Sequence, residues 1–217
     1  QIDHHLAHAS SVYYTSKFKE SAILIVDGIG SDLETTSFFK GSGKKIKLIK
    51  KYREFGIGTA YGSVTNHILN FGTGGEGKTM GLAPYGSKYK NQIRIKTRFD
   101  GIKTDFSNFM KRNPLSDVLN QLNNNLRPNP IKVNHRFCEN KNHLSKYFSG
   151  VAYDIQNIAE KTLVHLGKEI YKSVKSKNIC LAGGVALNSV ANKKLIDNSN
   201  FKNIFVFPAC SDAGISF

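Results

Sequence analysis

The chain has 217 residues, a formal net charge of +15, 40% hydrophobic and 22% charged residues. This composition sustains an ordinary core and excludes a disordered polyelectrolyte. No apolar run reaches the roughly 18 residues of a membrane span, and no leader peptide or membrane association is expected. The lysines scatter through 40–51, 78–112, 161–177 and 193–202 with no dense arginine block. That pattern describes solvated faces and argues against a nucleic-acid groove. Cys138, Cys180 and Cys210 form no CxxC pair, which points to a reducing, cytoplasmic setting.

In chain order, residues 4–19 carry Leu6, Ala7, Ala9, Val12 and Tyr13 at helical spacing and read as the end of a helix. "AILIVDG" (22–28) is a buried strand ending in Asp-Gly. "LETTSFFKG" and "KKIKLIKKY", separated by Gly41-Ser42-Gly43, form a hairpin. The spacing predicts a helix over 59–72, then a glycine-rich loop over 72–86 and a polar insertion with short helices over 87–148. Residues 151–174 hold the clearest amphipathic helix, with Val151, Ile155, Ile158, Leu163, Leu166, Ile170 and Val174 on one face. A strand over 178–184 runs into Gly183-Gly184, a helix follows over 185–198, and a strand and turn occupy 203–214. This order is α/β with a mixed sheet.

His4 and His8 stand at i and i+4, so a helix sets their Cβ atoms about 5–6 Å apart on one face. Two imidazoles so placed can share a metal; the plainer reading is three helix-terminal histidines, His4, His5 and His8, with no ligand. His5 is turned about 100° away. Asp27 in "VDGIGS" ends a strand, and Gly28 and Gly30 allow close approach of a phosphate; the plainer reading is a hairpin turn. Gly183 and Gly184 bring a helix N-terminus toward an anion, with Asn188 one turn further on and able to reach a ribose or base. A tight strand–helix connection explains the same residues. Asp212 in "SDAG" is either a second carboxylate ligand or a helix cap. Lys78, in "EGKTMGLAPYG", can reach a phosphate or carbonyl oxygen, or lies in a plain surface loop. Together these are the parts of a nucleotide-plus-metal site, with carboxylates shifting the metal toward iron or another hard divalent ion.

"DHHLAHASSVYYTSKF", "VDGIGSDLETT", "EGKTMGLAPYG", "CLAGGVALNSVANKKL" and "PACSDAG" jointly resemble the nodulation-type O-carbamoyltransferases. These are relatives of the tRNA threonylcarbamoyl transferase catalytic subunit and of the hydrogenase-maturation carbamoyltransferase. The similarity runs from residue 3 to 217, with 87–148 the least diagnostic.

The resemblance implies an actin/hexokinase/Hsp70-like (ASKHA) fold, of which the chain holds mostly the second lobe. Residues 1–20 would end the first-lobe helix, 21–86 and 149–217 would form the second-lobe core, and 87–148 would be an insertion. It implies a divalent metal, iron before manganese, on His4, His8, Asp27 and Asp212. ATP or carbamoyl-adenylate would meet Gly28, Gly30, Ser31, Gly183, Gly184 and Asn188, with Lys78 and His5 as catalytic candidates. The adenylate would be made from carbamoyl phosphate and ATP in a YrdC-like domain. A hydroxyl of a small molecule or sugar would then attack the carbamoyl carbon and release AMP. Ser31 stands where the family often has an acidic residue, and "GEGK" replaces "GEYK". A first lobe and a YrdC-like domain are missing from the chain, so it is expected to be inactive alone, as an excised lobe or partial gene product. The competing expectations are a tRNA threonylcarbamoyl transferase-like enzyme, which the basic charge suits, and a non-catalytic nucleotide-binding module.

Overall fold

A computed structural model of the protein describes residues 2–53, 55–93, 97–105 and 141–214. They divide into two compact units: Gln1–Thr59 with Arg98–Asp105 and Ala159–Phe217, and Ala60–Thr97 with Phe106–Ile158.

The first unit is built on a five-stranded mixed sheet. Its strands are β1 (Glu20–Val26), β2 (Glu34–Ser42), β3 (Lys45–Arg53), β6 (Asn178–Ala182) and β7 (Asn203–Val206), in the spatial order β3-β2-β1-β6-β7. The β1–β2 and β2–β3 pairs are antiparallel, and β1–β6 and β6–β7 are parallel. β1 is central because "SAILIV" is buried along its whole length, as a strand covered on both faces requires. β3 is an edge, and its lysines leave a solvated rim that discourages pairing with another chain. The hairpin expected at Gly41–Gly43 turns at Gly43, whose φ is 58°.

Directly opposed residues of an antiparallel pair share a face. Ile23, Ile25, Phe39 and Ser37 therefore lie under helix α1 (His4–Thr15), where Tyr13 packs on Gly41. Leu24 and Val26 face the other way and meet Leu163, Leu181 and Ala186. Leu163 belongs to α4 (Lys141–Val174), which begins ten residues before the expected helix. Within this unit α4 packs on α5 (Ser189–Asp197) where Gly167 meets the Leu195 side chain. A small hairpin, β4 (Arg98–Asp100) with β5 (Lys103–Asp105), docks on α4 through Phe99 stacked on His165 at 4.7 Å. Cys180 and Cys210 are buried free thiols, and Cys138 lies outside the described residues.

In the second unit two expectations change. The helix expected over 59–72 is α2 (Ile57–Ser63), which opens into a wider π-helical turn over Val64–Ile68 and ends there. Thr59, Gly62, Ser63, Val64 and Thr65 are weak helix formers, and Asn70 and Gly72 take positive φ. The glycine-rich stretch expected as a loop is instead α3 (Glu76–Leu82) followed by a 3-10 segment over Ala83–Tyr89. Its glycines serve close packing: Gly75 sits on Phe71 and Gly86 on the Ser149 carbonyl. Thr65 and Thr79 share a buried 2.8 Å hydrogen bond, and Tyr61 donates to Gln156 at 2.9 Å. The expected insertion falls largely outside the described residues, since nothing is described over 106–140. No described helix is long and apolar enough to cross a membrane.

Candidate metal centre

α1 starts where Asp3 caps it, accepting the Leu6 N–H at 2.9 Å while Lys51 pairs with its other oxygen. That start fixes the phase of the first turn. His4 and His8 then share a face, with ring centroids 4.8 Å apart, and both present Nε2 to the carboxyl ends of the parallel strands. Asp27 follows the last residue of β1. Asp212 opens a 3-10 turn after β7, and Ser11 of α1 holds that turn by donating to the Gly214 carbonyl at 2.9 Å.

The four side chains converge. His4 Nε2 lies 3.1 Å from Asp27 Oδ2 and 3.5 Å from Asp212 Oδ1. His8 Nε2 lies 3.3 Å and 3.2 Å from the same two oxygens. All four donor atoms fall within 4.8 Å of one another. Bonds of about 2.1 Å to one cation place adjacent donors about 3 Å apart, so the set fits a single divalent ion. His8 is buried and the Asp212 side chain is 72% exposed, so the cluster opens to solvent on the Asp212 side. A nitrogen–oxygen donor set with open positions differs from a closed structural zinc site.

Asp27 is held from two sides. Its Oδ1 accepts the N–H of Gly28 at 2.8 Å and of Gly184 at 3.0 Å, leaving Oδ2 for the two histidines. Burial pushes its carboxyl upward, but the hydrogen bonds from His8, Gly184, His4 and Gly28 outweigh that and hold it well below the usual range.

The N–H groups of the candidate glycines have partners within the chain. The N–H groups of Gly28 and Gly184 go to Asp27, that of Gly30 to the Glu34 carbonyl and that of Gly183 to the Cys210 carbonyl. None of the four is left for a phosphate by its N–H. Gly28 keeps open space where a Cβ would stand, while at Gly30 that space is filled by the Glu34 side chain. Gly183 has φ 88° and presses on the Val26 carbonyl, so only glycine fits. The double glycine opens a 3-10 turn over Gly184–Leu187, and Asn188 is not one turn inside a helix. It is the N-cap of α5, accepting the Ala191 N–H at 3.0 Å. Ser31 is exposed in the β1–β2 connection. Asp212, for which a cap was the plainer reading, faces both histidines.

His5 is fully buried and bonds Ser37 Oγ through Nδ1 at 2.7 Å. Burial outweighs the charges of Glu34 and Asp27 and pushes its imidazole down to about 4. Lys78 is exposed on α3 of the second unit, on a helix rather than the expected loop. Glu34 was missed in the sequence. It is fully buried at the start of β2, its Oε2 accepts the Asp32 N–H at 2.7 Å, and its side chain underlies Gly30. The available signal was a carboxylate opening the uncharged strand "TTSFF".

Comparison with known proteins agrees with the motifs. A family model described as the carbamoyltransferase N-terminus matches residues 1–217. The chain is similar to the uncharacterised protein sll1178 of Synechocystis sp., at 33% identity over 98% of this chain and 34% of that protein. It is also similar to nodulation protein NolNO of Sinorhizobium fredii, at 28% identity over 98% of this chain and 29% of that protein. The chain thus spans about a third of the length of these curated relatives. Among solved structures, T. kodakarensis HypF matches with a TM-score of 0.53 at 14% identity, over 99% of this chain and 35% of that chain. Full-length HypF in its phosphate- and nucleotide-bound form matches with a TM-score of 0.50 at 14% identity, over 99% and 41%. At such identity the likeness is one of fold. The family match extends over the whole sequence, and the chain belongs to the carbamoyltransferase N-terminus family.

Proposed function

We propose that this chain is the metal- and nucleotide-holding lobe of an O-carbamoyltransferase that moves a carbamoyl group from carbamoyl-adenylate to a hydroxyl acceptor. The observation that carries this reading is the convergence of His4, His8, Asp27 and Asp212 within 4.8 Å. The lobe is read as half of an actin/hexokinase/Hsp70-like fold, and the matching HypF structure with phosphate and nucleotide bound supports a nucleotide here.

In this reading His4, His8, Asp27 and Asp212 hold one divalent cation, iron or manganese. Its chemistry is that of a Lewis acid toward a phosphate oxygen. Gly28 leaves room for close approach of the phosphate, and the Gly184–Asn188 turn borders the nucleoside. The acceptor oxygen attacks the carbamoyl carbon, the bond from that carbon to the phosphate oxygen breaks, AMP leaves and the hydroxyl proton passes to a base. Lys78 remains a catalytic candidate on the motif resemblance alone, as a cation for a carbonyl or phosphate oxygen. Water competes for the activated carbamoyl group, so a second lobe is needed to shield it. A YrdC-like domain would form the adenylate from carbamoyl phosphate and ATP.

The test uses the full-length protein containing this chain, given carbamoyl phosphate, ATP, Fe²⁺ or Mn²⁺, and a panel of sugar and small-molecule hydroxyl acceptors. AMP release with a carbamoylated product is expected, and none from His8→Ala or from the 217-residue chain alone. Failure of the full-length protein to release AMP with any acceptor would count against the reading.

A further inference from the structure

Beside the metal cluster lies a second polar group that the cluster does not use. His5 Nε2 and Glu34 Oε1 are both fully buried and have no hydrogen-bond partner. Each side chain is anchored by its other polar atom, His5 through Nδ1 to Ser37 Oγ at 2.7 Å and Glu34 through Oε2 to the Asp32 N–H at 2.7 Å. Such atoms are costly to leave unmatched, and both are held in place rather than free to swing away. His5 adjoins the ligand His4, and the His5 and His4 rings are 5.8 Å apart. Glu34 follows the turn that begins at the ligand Asp27, and the Asp27 N–H bonds the carbonyl of the next residue, Thr35, at 2.9 Å. The Glu34 carboxylate also acts on His5 more strongly than that of Asp27 does.

In the tautomer in which Ser37 donates to Nδ1, the neutral ring carries its hydrogen on Nε2. His5 Nε2–H is then an anchored donor and Glu34 Oε1 an anchored acceptor, the one on the residue after the ligand His4 and the other at the end of the turn that leaves the ligand Asp27. That pair complements a primary amide: the carbonyl oxygen accepts from His5 Nε2–H, and the amino group donates to Glu34 Oε1. We infer that His5 and Glu34 are specificity-determining residues that recognise the carbamoyl end of the ligand whose phosphate lies on the metal cluster. This inference rests on the proposed reading of the cluster. The connection from Gly28 to Leu33 covers the Glu34 carboxylate, with Gly30 lying on that side chain. That connection is exposed from Ser31 to Leu33, the side from which a ligand would reach Glu34.

The test compares three probes on Mn²⁺-loaded protein by calorimetry: carbamoyl phosphate, acetyl phosphate, in which a methyl replaces the amino group, and inorganic phosphate. Carbamoyl phosphate is expected to bind about tenfold tighter than acetyl phosphate, the worth of one hydrogen bond to a charged group. Glu34→Gln keeps a carbonyl for the Asp32 N–H but offers an amino group where an acceptor is needed. It should erase the preference and leave phosphate affinity unchanged. His5→Gln, which places an amide near the Nε2 position, should retain part of the preference, and His5→Leu none. Equal affinity for the two acyl phosphates, or an undiminished preference in Glu34→Gln and His5→Leu, overturns the inference while leaving the metal site intact. Absence of phosphate binding to the Mn²⁺-loaded protein would instead remove the reading of the cluster, and this inference with it.

Discussion

Asp27 accepts the backbone N–H of Gly184 at 3.0 Å through Oδ1 while its Oδ2 faces His4 and His8. One carboxylate therefore joins the end of β1 to the turn after β6 and presents an oxygen to the histidine pair. An added Cβ at Gly184 would stand 3.2 Å from Oδ1. Gly184→Val is expected to shift Asp27 and so weaken divalent-metal and adenine-nucleotide binding together. Gly28→Ala, with open space at its Cβ, should weaken metal binding far less. Calorimetry of both ligands against both variants checks this. Unchanged metal affinity in Gly184→Val would show that the contact does not position Asp27.

Each of the four donors should matter in proportion to how firmly it is held. His8→Ala and Asp27→Asn are expected to lower Mn²⁺ affinity by more than about 100-fold, since even outer partners of metal ligands cost about 10–100-fold. Asp212→Ala, at a side chain 72% exposed, should cost less than His8→Ala, at 1%. Metal titration of these three variants at fixed pH ranks them. Retention of full affinity in His8→Ala would remove the centre.

Stability of the metal-free protein should fall in acid. His5 ionises near 4 in the folded protein against 6.5 normally, so below pH 6.5 the unfolded chain takes up a proton that the folded chain refuses. Asp27 is held well below its ordinary 3.8, so its contribution is present above that value and is lost as pH falls further. Both act in the same direction: stability is full above pH 6.5, declines toward pH 4 and declines again below it. Each group adds a slope of at most about 1.4 kcal/mol per pH unit in its window. Urea midpoints at pH 7.5, 5.5 and 4.5 measure this, and His5→Gln should flatten the upper window alone.

Gly183 combines a positive φ with a crowded Cβ position. With φ 88° and the Val26 carbonyl against the place where a Cβ would stand, Gly183→Ala is strained in backbone and in space. A loss of about 1–3 kcal/mol is expected from the backbone conformation, before any steric cost. Thermal melts should show a lower midpoint. A wild-type melt would mean the turn relaxes freely.

Asn188 has a capping role that can be separated from a nucleotide role. Asn188→Ala should cost about 1 kcal/mol through loss of the bond to the Ala191 N–H. Asn188→Asp keeps the cap, so any drop in nucleotide affinity in that variant reports contact with the ligand rather than a loosened helix. If both variants bind nucleotide as the native chain does, Asn188 is a cap alone.

By itself the sequence determined the elements with strong periodicity: the unbroken apolar run of β1, the hairpin after it and the helical face from Val151 to Val174. It also determined which side chains were candidates for the metal, because i, i+4 histidines and Asp-Gly strand ends are local patterns. It misplaced what depends on distant packing. The glycines from 72 to 86 looked like loop residues because local propensity cannot register that Gly86 presses on Ser149 of another element. Nor could a local pattern show that the backbone N–H groups of Gly28 and Gly184 both go to Asp27, 157 residues from Gly184. Glu34 went unnoticed because a carboxylate at the start of a strand is ordinarily solvated; only the Gly28–Leu33 connection folding over it, with Gly30 against its side chain, buries it. Convergence of His8 and Asp212, 204 positions apart, is set by sheet order, with β7 placed beyond β6 and the turn after it tied to α1 by Ser11. No local pattern carries that distance; the parallel pairing of β1, β6 and β7 does, because it brings their carboxyl ends to one edge of the sheet.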